Sequence, residues 1–340
     1  MLVSEIKEVI KEYPEEDLRL LIVELYKAMP KKLREDKDID TLLKDARELL
    51  HGKKAEKKRP VPANMRILKP EIEDFLENAY AQNYMIPNRI IPKQERPKWR
   101  FKVKAYIKSL QAVPPEGEDG ITAADLLGKL YKMLCYGCYY YIFNSDDTFR
   151  SVGIEQADLL DLVLKKSFAN GLNEETIKKG IALVLEPGID RVTLHSTLLC
   201  VFAENLKTVD ARDIAIQEAM KQRAAIYQNI NTSSKKKWNA DHEKYERDEK
   251  ANLLTELVFR LNILQCEYEE GIRYFKDNIR ETDNEIILYM LLDLLYEYSL
   301  TDYWIKEYEE AVKKKVIPRT SLVKVYQYMK VYGELPDSFE

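Results

Sequence analysis

Apolar residues recur along most of this chain with the pitch of an α-helix. Leu18, Leu21, Ile22, Leu25, Tyr26 and Met29 wind into one stripe at 3.6 residues per turn. Pro14 opens this helix at a position where its missing N–H is harmless, Glu15, Glu16 and Asp17 suit the positive helix end, and Pro30 stops it. A second stripe runs through Leu253, Leu254, Leu257, Val258, Leu261, Leu264 and Tyr268. A third, Ile286, Ile287, Met290, Leu291, Leu294, Leu295 and Tyr298, follows the capping-box pair Thr282 and Glu285. The last helix is predicted to start near Thr320 or Ser321, to carry Leu322, Val325, Tyr326 and Met329, and to end at Gly333 before Pro336.

Between Ile121 and Gln228 helical runs alternate with short breakers: Asn144 to Gly153, Asn170 to Asn173, and Glu186 to Asp190 with its Pro187-Gly188 turn. Connections this short predict adjacent antiparallel helices. Trp99, Phe101, Val103, Ala105 and Ile107 alternate like a strand, yet Val103, Tyr106, Ile107 and Leu110 fit a helix, and the helical context favours that. An L-[LI]-x-x-L-Y string occurs at Leu21 to Tyr26, Leu126 to Tyr131 and Leu291 to Tyr296, at separations that match no solenoid period. The expected fold is all-α, a multi-helix bundle or an irregular α-solenoid of antiparallel helix pairs.

The pattern divides the chain into an N-terminal helical pair (1–50), a basic linker (51–65), a basic helical segment (66–112), a helical body (121–232) and a C-terminal helical region (233–340). The linker text HGKKAEKKRPVP resists both helix and core, VPPEGEDG (113–120) is a second break, and Asn229 to His242 reads as a loop or the exposed start of a long helix. Only 11 Gly and 13 Pro among 340 residues agree with a chain mostly inside helices. No run reaches the ~20 apolar residues that span a bilayer, since Ile286 to Leu295 is about half that length and contains Asp293. The acidic start MLVSEIKEVIKEYPEED is not expected to act as a signal peptide, and four cysteines are too few for a disulfide scaffold. A cytoplasmic protein without membrane insertion is expected.

Charge adds one candidate function. Residues 51–110 carry 15 Lys and Arg against 6 Asp and Glu, inside a chain whose net charge is −4. A basic segment with aromatic neighbours can track phosphates and stack bases, so Lys53, Lys54, Lys57, Lys58, Arg59, Lys98, Trp99, Arg100 and Lys102 are candidate nucleic-acid contacts, with Tyr84, Phe101 and Tyr106 close in sequence. The alternative is a solubilising linker and a basic face against the chain's own acidic body.

Candidate chemistry is sparse. Cys135-x-x-Cys138 with His195 and Cys200 can be written as a Cys₃His zinc set, but its spacing fits no zinc finger, and thiols in an aromatic-rich helix behave as small apolar groups. Of three histidines, His51 lies in the linker, His242 in a charged tract, and His195 alone in an apolar run. Asp146-Asp147 and Asp158 with Asp161 pair carboxylates, and the Asn144 to Thr148 run also reads as a helix-capping loop. No phosphate-cradling glycine loop and no HExxH, GxSxG or EF-hand pattern occurs. No cofactor or metal site is assigned. The 22 tyrosines include Tyr139-Tyr140-Tyr141 and a C-terminal series, of which Tyr296, Tyr298, Tyr303 and Tyr308 with Trp304 form the expected protein-binding face. The resulting expectation is a non-enzymatic interaction or scaffold protein with an unknown protein partner. The alternatives are a nucleic-acid-associated protein using the basic segment, and a metal-dependent enzyme around Cys135, Cys138, His195 and Cys200.

Overall fold

The computed structural model describes residues 9–11, 13–30, 34, 39–44, 64–88, 90–228 and 237–337. The chain falls into two compact units, Met1–Val61 and Pro62–Glu340. Among the described residues there are fifteen helices and no strand, so the fold is an all-α multi-helix bundle, as the periodicity predicts. No described helix is long and apolar enough to cross a membrane.

The first unit contains α1 (Glu15–Ala28) and α2 (Ile39–Lys44). Pro14 is extended and caps α1 from just outside it, one position earlier than the sequence suggests. The Tyr26 hydroxyl donates to Asp40 Oδ1 at 2.6 Å and ties the two helices. The Arg34 guanidinium lies over the same ring, 4.6 Å from its centroid. No residue of α1 is buried, so its apolar stripe is not enclosed as the pattern alone implies.

The second unit opens with α3 (Met65–Tyr80) and α4 (Trp99–Ala112), which both pack on the long α5 (Gly117–Tyr139). Asn64 caps α3 by accepting from the Arg66 N–H, and Ile72, Phe75, Leu76 and Ala79 form its buried stripe. The segment that alternates like a strand is α4, with Val103, Tyr106, Ile107 and Leu110 buried on one face. Helix α5 begins at Gly117, inside the 113–120 segment read as a break, so the connection is shorter than expected. The short α6 (Thr148–Val152) lies within the next predicted breaker and is capped by Asp147.

Helices α7 (Gln156–Phe168), α8 (Glu174–Val184), α9 (His195–Asn205) and α10 (Val209–Gln228) then stack through short loops. Asn173 and Thr176 close a reciprocal capping box at the start of α8, which fixes the break predicted there. Residues 51–63 of the predicted linker and 229–236 of the polar tract lie outside the described residues. Helix α11 (Lys237–Ile263) contains the far end of that tract and the Leu253 stripe.

Helix α11 divides two cores. Leu254, Leu257, Val258 and Leu261 join the core built by α3 to α10. Phe259 and Ile263 turn to a second core shared with α12 (Tyr268–Asn278), α13 (Asn284–Glu297), α14 (Thr301–Lys313) and α15 (Thr320–Tyr332). Leu264 and Tyr268, predicted to continue the α11 stripe, fall beyond it because Cys266 takes a positive φ of 64° and reverses the chain. Asp283, rather than Thr282, caps α13: its carboxylate accepts the Glu285 N–H at 2.8 Å, while Thr282 is held by Glu281. Gly333 ends α15 in the left-handed conformation, φ 75°, as expected for a helix C-cap.

Candidate functional site

The aromatic residues of the basic segment are mostly core. Trp99 is buried and stacks flat on Phe143, with centroids 3.9 Å apart and planes 4° apart. Tyr84 and Tyr106 are also buried, and the Tyr106 hydroxyl donates to Glu71 at 2.8 Å. Phe101 presents its ring, with Arg100 4.9 Å above it, and Tyr80 is also exposed. Lys98 pairs with Glu95 at 2.6 Å, and Arg100 and Lys102 are exposed. Lys53, Lys54, Lys57, Lys58 and Arg59 lie outside the described residues.

The thiols and imidazole of the paper zinc set each have other neighbours. Cys135 is buried, its thiol pushed well up by desolvation, and it receives the Gln156 amide at 3.4 Å. Cys138 lies 3.3 Å from the Thr148 hydroxyl. Cys200 meets Arg260 at 3.1 Å, and burial pushes its thiol up to about 11. His195 opens α9 with its Nδ1 enclosed and without a hydrogen-bond partner, and burial lowers its pKa against the pull of Glu249. Among the described residues no three His, Cys, Asp or Glu side chains are grouped so as to hold a metal ion. The carboxylate pairs separate likewise. Asp147 accepts the Arg150 N–H, Asp146 pairs with Arg191, and Asp161 binds Lys165 and Asn205.

Sequence reasoning missed two buried polar centres. Gln156 is fully buried, and its Nε2 donates to the Tyr131 hydroxyl and to the Gly188 carbonyl, both at 3.2 Å, while its Oε1 accepts the Asp190 N–H at 2.8 Å. It therefore ties the Pro187-Gly188 turn to α5. Arg260, 1% exposed, donates to both oxygens of Glu297 at 2.7 and 2.8 Å and to Glu256 at 2.8 Å. It also donates to the Tyr298 hydroxyl at 3.2 Å. The signal for Arg260 was present, since it interrupts the apolar run Leu257, Val258, Phe259, Leu261.

The C-terminal aromatic residues face inward more than outward. Trp304 is fully buried and stacks on Tyr308, which in turn stacks on Tyr326 with centroids 4.4 Å apart. Tyr298 packs on Phe259 as well as on Arg260, Tyr303 meets Tyr268, and the Tyr296 hydroxyl donates to the Pro336 carbonyl. Trp304 and Tyr308, predicted to meet a partner, therefore belong to the second core.

Tyr328 and Tyr332 form an exposed pair on α15, and a larger exposed aromatic cluster lies where α5 ends beside α3. Tyr80, Tyr136, Tyr139 and Tyr140 are each 38% to 50% exposed, and Tyr141 is 66% exposed. Their rings touch in sequence: Tyr80 to Tyr136 at 5.3 Å, Tyr136 to Tyr140 at 4.7 Å and Tyr140 to Tyr139 at 4.8 Å. Desolvation and then Glu186 push the Tyr80 phenol up to about 12. Desolvation and the carboxylates of Glu246 and Glu249 push Tyr139 up, which sets this end of the cluster beside α11.

Along α11 the surface continues into a groove of about 510 Å³ between α11, α12 and α13. Tyr245 and Glu249 stand at its edge, Leu253, Ile279 and Leu294 give it an apolar lining, and Arg260 lies at its base. Six carboxylates line it against two arginines. Burial raises the Glu256 and Asp293 carboxyls above their ordinary range, and the neighbouring Glu297 adds to both shifts. Glu297 is held below the usual range despite its own burial, because Arg260 hydrogen-bonds it. No family model, curated protein or solved structure matches this chain.

Proposed function

We propose that this chain is a non-enzymatic helical scaffold that works by binding another protein in the cytoplasm. The observation that carries this reading is the contiguous tyrosine face at the end of α5. Large rings left in water and packed on one another offer rigid apolar area with polar edges, the combination enriched at protein interfaces. The interior polar groups point the same way: Gln156, Arg260 and Asp147 are all engaged in bonds that hold loops and helix ends. Four free cysteines agree with a reducing compartment.

Panning a displayed peptide library on the full chain and on a Tyr139→Ser, Tyr140→Ser variant tests the proposal. The wild type is expected to enrich a defined peptide class that the variant does not. Failure of any class to enrich, or turnover of nucleotides, esters, peptides or phosphates at a defined rate, overturns it.

A further inference from the structure

We infer that the tyrosine face and the adjoining α11–α13 groove together dock a lysine- and arginine-rich segment of the partner protein. The inference rests on the interaction reading above and names the chemistry that such a partner must have. Three features of the surface converge on it.

The first is the exposed ring cluster. Tyrosine faces carry partial negative charge, and a guanidinium or ammonium within about 6 Å of a ring centroid is attracted to it, the more so as water is displaced. This chain uses the same contact internally, with Arg280 4.7 Å from the Tyr227 centroid and Arg319 3.9 Å from that of Tyr289. The rings of Tyr136, Tyr139 and Tyr140 have no cation over them among the described residues, and they stay in water.

The second is negative charge in excess of its local partners along one path. Glu186, shared with Lys132 at 3.4 Å, borders the Tyr80 end of the cluster, and Glu249 and Glu246, the latter 3.3 Å from His242, border Tyr139. The groove that follows holds Asp293 and Glu249, neither of which makes an ion pair among the described residues. Its two arginines do not restore the balance: Arg260 is buried against Glu256 and Glu297, and Arg280 lies on Tyr227. The raised carboxyls of Glu256 and Asp293 register that surplus as well as burial.

The third is the apolar lining. Lys and Arg side chains cover apolar surface with their stems while their heads reach charge. Leu253 and Met290, both partly exposed in the groove that Asp293 and Glu249 also line, provide that surface. Nucleic acids and anionic lipid surfaces carry the same sign as these carboxylates and would be repelled, whereas a basic peptide complements the rings, the charge and the lining together.

The experiment is fluorescence anisotropy with the full chain and three labelled peptides of equal length: one of mixed Lys and Arg with Ser spacers, its Glu and Asp counterpart, and an uncharged Ser and Gly control. Only the basic peptide is expected to bind, and its affinity should fall as salt rises from about 50 to about 300 mM and the screening length shortens. Tyr139→Ala with Tyr140→Ala is expected to weaken binding about tenfold, as two ring–cation contacts would. Glu249→Lys with Asp293→Lys should weaken it by about tenfold or more by reversing two charges. Both double variants are at exposed positions, and each is expected to keep the parent's helix content by circular dichroism. Binding of the basic peptide no tighter than the control, or binding indifferent to both variants, overturns the inference. Spermine competing as well as the peptide would show that the surface reads charge alone, which also overturns it. If panning enriches acidic or uncharged peptides that the tyrosine variant loses, the interaction reading stands and the basic-segment assignment fails.

Discussion

Replacing Arg260 by methionine tests the polar joint between the two cores of the second unit. Methionine keeps most of the aliphatic stem, so the substitution removes the guanidinium and little packing. The loss includes two bonds to Glu297, one to Glu256 and one to the Tyr298 hydroxyl, all from a side chain 1% exposed. Breaking a buried ion pair by removing one partner costs about 3 to 5 kcal/mol, chiefly because the other charge stays behind without compensation. The Glu297 side chain is 46% exposed and can rehydrate, whereas that of Glu256 is 19% exposed and cannot do so readily. The expected loss is therefore near the lower limit, about 3 kcal/mol, or roughly 6 °C in Tm for a unit of this size. Urea unfolding followed by far-UV circular dichroism measures it. The pH dependence supplies an independent check. Glu297 is held below the ordinary carboxyl range by Arg260, so in the parent its contribution is present above the unfolded carboxyl pKa and is lost as pH falls through the lower folded value. Glu256 is already raised, and without Arg260 it rises further, so protonation relieves the variant as pH falls. Both effects make the gap between parent and variant widest near neutrality and narrower towards acid pH. Adding Glu256→Gln to the variant should recover about 1 kcal/mol by removing the orphaned charge. A loss below about 1 kcal/mol at neutral pH, or a gap independent of pH, would refute this account.

Other substitutions probe the loop anchored on α5 and the thiols. Gln156→Ala leaves the buried Gly188 carbonyl and Asp190 N–H without partners, which should cost about 3 kcal/mol by chemical unfolding; a cost under about 1 kcal/mol would mean that water replaces the amide. Gly188→Ala places a Cβ on the Cys135 backbone carbonyl, where no side chain can move aside, and a Tm unchanged from the parent would contradict that close approach. Gly180→Ala meets the edge of the Phe202 ring at 2.7 Å and should cost about 1 to 3 kcal/mol by overpacking, again read by urea unfolding. In thiol titration with a disulfide reagent, exposed Cys266 should react first and Cys135 only on unfolding; rapid modification of Cys135 in the folded chain would refute its burial.

Periodicity made the helices legible because it records which face of each segment avoids water, and that property survives any arrangement of neighbours. The stripe from Leu254 to Leu261 was therefore readable. Its continuation through Leu264 and Tyr268 was not, because the reversal depends on one residue, Cys266, adopting a left-handed backbone that its type does not advertise. Buried polar groups were illegible for a related reason. Gln156 looks like a surface residue at the start of α7 until the Pro187-Gly188 turn folds across it, a contact between residues 32 apart. The two tyrosine clusters show the limit for function most directly. Trp304 and Tyr308 are aromatic residues with a polar edge set four apart, as are Tyr136 and Tyr140, so the two sets look alike in the sequence. Helix α15 lies against the first set and stacks Tyr326 on Tyr308, whereas the second set sits where α5 stops and the chain turns away. Position relative to a helix end, more than the density of aromatic residues, decided which set met water. The breaker from Asn144 onward, three residues past Tyr141, was the sequence signal that marked that end.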